Sequence, residues 1–69
     1  MELTIRDEFI KLGQAMKLAD LVDNGAMAKE AIASGSVLVN GQTETRRGRK
    51  CRAGDVIEWE GNKVIIRCL

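Results

Sequence analysis

The sequence predicts an α+β fold, two packed helices beside a small, mostly antiparallel sheet, and three patterns carry that expectation. Leu12, Met16 and Ala19 recur at the i, i+4, i+7 spacing of one helical face. Val37 and Val39 alternate around Leu38 and run into Asn40-Gly41, the strongest two-residue signal for a tight hairpin turn. Two runs rich in β-branched residues, Val56 to Glu60 and Lys63 to Arg67, flank the turn residues Gly61-Asn62.

In chain order, Leu3-Thr4-Ile5 reads as a short strand, followed by a first helix over about residues 11 to 20. Asp23-Asn24-Gly25 then offers side-chain oxygens for the free N–H groups that open a second helix, whose Ala28, Ala31 and Ile32 share a face. Gly35 supplies the left-handed residue that stops it. The hairpin returns through Gln42 to Thr45, and the basic stretch from Thr45 to Arg52 is too charged to be a core strand. Ala53-Gly54-Asp55 turns the chain into Val56-Ile57-Glu58-Trp59-Glu60, and Lys63 to Arg67 closes the sheet.

A chain of 69 residues without proline, repeats or a low-complexity segment is expected to form one domain over residues 1–69, with a thin core. Phe9 and Trp59 are its only aromatics, so aliphatic side chains carry that core. In a strand of so small a domain, Trp59 is expected to pack against its neighbours. No run approaches the roughly 18 apolar residues of a membrane span, and Met1 to Glu8 lacks a basic segment followed by an apolar one. A cytoplasmic monomer away from membranes is the expectation. Cys51 and Cys68 read as reduced thiols, with a bridge between them left open.

Most enzyme classes lose their chemistry here. There is no histidine, so the commonest general base and metal ligand is missing, and no imidazole can activate either cysteine. The acid pairs Asp20 with Asp23 and Glu58 with Glu60 fall at helix ends and on the outer face of a strand, where carboxylates are solvated. Two isolated cysteines fall short of the four ligands of a structural zinc site. Neither a catalytic residue, a metal nor a cofactor is expected.

Charge is the informative feature. The net value is only +1, but residues 1–40 hold four bases against six acids, 4 − 6 = −2, and residues 41–69 hold seven against four, 7 − 4 = +3. Arg46, Arg47, Arg49, Lys50 and Arg52 lie together with no acid between them. Closely spaced cations gain little from folding and bind phosphates by releasing counterions, and guanidinium groups also stack on exposed bases. Gly48 within the run either lets the backbone approach a phosphate or serves only as a turn residue. Composition alone fits a solvated basic loop as well as a binding site.

Lys11, Gln14 and Lys17 lie three residues apart along the first helix, and Lys29 lies one turn into the second. Each taken singly reads as solvent-facing decoration, and together they would extend a basic patch. Asn24 and Gly25 read first as a plain helix cap, and otherwise as an anion site at the start of the second helix.

Three segments then carry a resemblance: Lys11-Leu12, Asn24-Gly25-Ala26-Met27-Ala28-Lys29 leading to Ile32, and Gly35-Ser36-Val37-Leu38-Val39-Asn40-Gly41. In this order they resemble the signature of the S4 RNA-binding domain, the αL motif, over about residues 11–59. Glu44 to Lys50 and Gly54-Asp55 are similar to the small free-standing bacterial members, the YbcJ/YaaA-like group. The resemblance implies an S4-like fold whose helix pair and following hairpin form a positively charged, RNA-binding face. Carried over by position, Lys11 matches the basic residue opening the first helix, Lys29 a basic residue on the second, and Asn24 with Gly25 a Ser-Arg pair. Asn40 falls in the hairpin signature. Two positions depart from the pattern: Gly25 lacks a cation common in relatives, and Gly13 stands where many have an acid.

Relatives of this kind occur in ribosomal proteins, pseudouridine synthases, a tyrosyl-tRNA synthetase and a heat-shock protein acting on stalled ribosomal subunits. The resemblance therefore implies a binder of structured RNA, ribosomal or transfer, on or off the ribosome. In it the arginine cluster neutralises phosphates while the helix pair sets orientation. The competing reading is a protein-interaction module docking its basic loop on an acidic partner. Major-groove DNA readout is disfavoured because Ala26, Met27, Ala28 and Ala31 give the second helix few base-contacting side chains.

Overall fold

The computed structural model describes residues 1–69. In chain order its elements are β1 (Glu2–Ile5), β2 (Ile10–Lys11), α1 (Leu12–Leu18), α2 (Gly25–Ala33), β3 (Leu38–Val39), β4 (Gln42–Thr43), β5 (Lys50–Cys51), β6 (Val56–Trp59) and β7 (Asn62–Cys68). Five strands form one sheet in the order β1-β7-β6-β3-β4, and β2 pairs with β5 in a separate ribbon. All pairings are antiparallel except β1 with β7, so the α+β expectation of two helices and a mostly antiparallel sheet holds.

The core follows from the periodicities. Leu12, Ala15 and Met16 on α1 and Ala28, Ala31 and Ile32 on α2 are buried against Val39, Ile57, Val64 and Ile66 of the sheet. Along β7, Val64 and Ile66 are buried while Ile65 between them is only half-buried, as period-2 alternation requires. Trp59 packs on the edge of this cluster.

Both helix ends near the hairpin are built as expected. Asn24 opens α2 with its Oδ1 accepting from the Met27 amide at 2.9 Å, and Gly35 ends the helix at φ +83°. The hairpin turns on Asn40 (φ 53°) and Gly41 (φ 82°), the two left-handed residues of a type I′ turn.

Three expectations need correction. The last turn is centred on Glu60 (φ 48°) and Gly61 (φ 79°), one residue earlier than Gly61-Asn62, since Asn62 already pairs with Trp59. The first helix is shorter than residues 11–20: Lys11 is extended and belongs to β2, while Ala19 is the C-cap and Asp20 (φ 60°) is left-handed. The basic stretch also contains a strand. Period-2 alternation turns Cys51 into the core, fully buried, while Lys50 and Arg52 on either side stay exposed, so charge and core burial coexist in β5.

Candidate nucleic-acid interface

The basic stretch is built onto the start of α1. Lys11, the N-cap of α1, makes no side-chain capping bond. Instead Leu12 N–H donates to the Arg49 carbonyl at 2.8 Å and Gly13 N–H to the Arg47 carbonyl at 3.1 Å. The orphan donors at this helix end are thus satisfied by the backbone of the arginine loop. Gly13 lets the Arg47 side chain lie against this helix start, because a Cβ on it would lie 2.7 Å from Arg47 Cγ.

Glu44 fixes the same loop from the other side. Its carboxylate is almost wholly buried and accepts from the Arg46 amide (3.1 Å), from Arg46 Nε and Nη2 (both 3.1 Å) and from Arg49 Nη1 (3.4 Å). The side-chain and backbone hydrogen bonds from Arg46 hold the Glu44 carboxyl at about 2, with the Arg46 and Arg49 charges assisting and burial opposing. The arginine run has no acid within it, yet folding places one at its base. Five cations against this carboxylate leave 5 − 1 = +4. Arg47, Lys50 and Arg52 form no ion pair.

Between α1, the start of α2 and the loop lies an open groove of about 330 Å³. Its walls carry Lys11, Gln14, Lys17 and Arg47, and its floor is Gly13, Gly25, Ala28 and Gly48. Gly25 and Gly48 leave backbone accessible while Gly13 and Ala28 are buried, and the walls supply three cations and an amide. On the other side of the loop a second hollow is lined by Arg46, Gly48, Arg49, Lys50 and Arg52, so Gly48 borders both.

The structure therefore brings together Lys11, Gln14, Lys17, Gly25, Arg47 and Gly48 in one groove. Arg46, Arg49, Lys50 and Arg52 lie beside it. Lys29 is exposed on α2 but lines neither. The Asn24 oxygen is occupied by its own helix. Asn40 is also committed internally: its Nδ2 donates to Asp55 Oδ1 and its Oδ1 accepts from the Val56 amide, both at 2.9 Å. Asp55 Oδ2 in turn accepts from the Arg52 amide at 2.8 Å. Burial pushes the Asp55 carboxyl up, but these hydrogen bonds win and leave it lowered. This network joins the hairpin tip to the end of the basic loop.

Cys51 and Cys68 are both free. Burial, then the nearby Asp55 charge, pushes the Cys51 thiol up to about 11, so it remains a protonated core residue. No three histidine, cysteine, aspartate or glutamate side chains converge to hold a metal ion, and no helix is long and apolar enough to cross a membrane.

Sequence reasoning missed three residues of this surface. Glu44 reads from the sequence only as part of the segment similar to the small free-standing members, although it is the acid nearest the arginine run. Gly13 reads from the sequence only as a departure from the family pattern, although a glycine inside a helix costs stability and so asks for a packing reason. Phe9 reads from the sequence only as one of two aromatics, yet Lys50 Nζ lies 4.8 Å and Arg52 Cζ 5.7 Å from its ring centroid.

A helix pair followed by a hairpin, with a basic surface beside them, is the arrangement of the S4 class of domain that the sequence resembles. The S4 domain family model matches residues 3–67, nearly the whole chain, and the protein belongs to that family. Among its relatives, the probable ribosome maturation protein RlbA of Bacillus subtilis is 49% identical over 59 residues, covering 86% of this chain and 83% of that protein. The putative RNA-binding protein YbcJ of Escherichia coli is 40% identical over 57 residues, covering 83% and 81%. The solution structure of E. coli YbcJ, described as containing an αL motif involved in RNA binding, superimposes with a TM-score of 0.74 at 33% identity. That match covers 96% of this chain and 85% of the other.

Proposed function

We propose that this protein binds structured RNA without catalysing a reaction on it, seating the phosphate backbone in the groove between α1, α2 and the arginine loop. The observation that carries this reading is the convergence of Lys11, Lys17 and Arg47 over a floor of glycine and alanine. Cations without ion-pair partners bordering accessible backbone suit a phosphate chain, which is held by charge and by N–H donors alike. Lys50 and Arg52 extend the surface beyond Gly48. Arg46 and Arg49 share Glu44, so their first role is to shape the loop.

The relative named a ribosome maturation protein favours ribosomal over transfer RNA, and with it a cytoplasmic, ribosome-linked role. The relative named as RNA-binding favours the ligand class itself.

Crosslinking in cells followed by RNA sequencing tests the reading, comparing the natural chain with a folded Arg47→Ala variant. One defined structured RNA should be recovered and its yield should drop in the variant. In vitro, the log–log salt slope for that RNA should fall by about 1 on loss of Arg47. Absence of RNA enrichment, or enrichment untouched by the substitution, would reject the groove and bring forward an acidic protein partner.

A further inference from the structure

The ribbon formed by β2 and β5 carries an arrangement that phosphate binding alone leaves unused. Its register pairs Ile10 with Cys51 and Lys11 with Lys50. One more step places Phe9 opposite Arg52. Alternation turns Cys51 into the core together with its partner Ile10, which packs on that core, and leaves Phe9, Lys11, Lys50 and Arg52 on the opposite, outward face. One half-buried aromatic ring therefore sits among three exposed cations, two of them close to the ring itself.

A neighbouring hollow of about 540 Å³ runs from Phe9 and Ile10 to Lys11 and Gln14, and the last two also line the groove between the helices. The hollow and the groove therefore adjoin at Lys11 and Gln14. Its far rim carries Asp7 and Glu8. Those acids repel a phosphate, whereas Lys11, Lys50 and Arg52 on the outward face of the ribbon attract one.

We propose that Phe9 is a stacking platform for one unpaired RNA base, with Lys50 and Arg52 holding the flanking phosphates. The proposal rests on the RNA-binding function argued above and narrows its ligand to structured RNA bearing an unpaired nucleotide beside a helix. An aromatic face accepts any base, and in folded RNA only unstacked bases can reach one. The lysine now over the ring is exposed and long, so it can move to a phosphate when a base arrives.

The test uses two RNA hairpins differing only by one unpaired 2-aminopurine, with the full chain and its Phe9→Leu and Phe9→Tyr variants, each checked for folding by Trp59 fluorescence. The natural chain should bind the bulged hairpin roughly tenfold tighter and quench the 2-aminopurine emission. Phe9→Leu should lose that advantage and the quenching, so that it binds the two hairpins equally, and Phe9→Tyr should retain both. Equal binding of the two hairpins by the natural chain, or an advantage that survives in Phe9→Leu, would overturn the platform and leave the RNA-binding function standing. Failure of the natural chain to bind either hairpin would overturn both.

Discussion

The two helices of this protein begin in opposite ways. α2 is capped locally, by the Asn24 side chain three residues before the amide it accepts from. α1 is capped at long range, by the Arg47 and Arg49 carbonyls of a loop that arrives after three intervening elements. A local cap depends only on the helix's own sequence. A long-range cap makes the helix start and the arginine loop one cooperative unit, so whatever fixes the loop also fixes the face of α1 that carries Lys11, Gln14 and Lys17.

The largest break in that comparison should come from Glu44, which holds the loop on the side away from α1. Glu44→Gln removes the ionised acceptor shared by Arg46 and Arg49. Amide exchange at Leu12 and Gly13 should accelerate sharply, while exchange at Met27 stays at its natural rate. pH gives the same contrast without mutation. The carboxyl is lowered in the fold to about 2 from an ordinary 4.5, so its stabilisation is complete above the ordinary value and is lost as pH falls toward 2. Thermal melts of the natural chain should weaken across that window more steeply than those of Glu44→Gln. Parallel curves would show that Glu44 does not hold the loop.

Asn24→Ala probes the other helix start and should cost about 1 kcal/mol, a drop in melting temperature of roughly 4–8 °C for a domain of this size. Here the exchange pattern should reverse, with Met27 faster and Leu12 and Gly13 unaffected. The salt slope of RNA binding should stay the same, because the Asn24 oxygen faces its own helix. A reduced slope would mean that this region takes part in phosphate binding after all.

The same contrast explains what the sequence made legible. Asn24, Gly35 and Asn40-Gly41 act on residues within a few positions of themselves, and each was readable from local chemistry. The groove was readable in part, because Lys11, Gln14 and Lys17 lie along one stretch and the arginine run is conspicuous. The closure of the loop onto α1 was not readable, since main-chain carbonyls carry no residue identity. β5 was hidden for a related reason: cations on both sides of Cys51 conceal a strand whose inward face is a single residue. Phe9 fell outside every predicted element, so its place beside Lys50 and Arg52 emerged only from the β2–β5 register.

Gly13→Ala should have the smallest effect on stability and separates folding from binding. Inside a helix this exchange ordinarily gains roughly 0.5–1 kcal/mol. At this position the new Cβ would sit 2.7 Å from Arg47 Cγ and 3.3 Å from Cδ, although the Arg47 carbonyl, at 3.7 Å, is in ordinary contact. The hydrogen bond to that carbonyl can therefore survive while the side chain is pushed aside. The gain and the displacement should nearly cancel, leaving the melting temperature within a few degrees of the natural value. RNA affinity should nevertheless fall toward that of Arg47→Ala, because the guanidinium no longer lies over the groove. If Gly13→Ala binds RNA as well as the natural chain does, the position of Arg47 over α1 is not what the RNA uses, and long-range capping serves the fold alone.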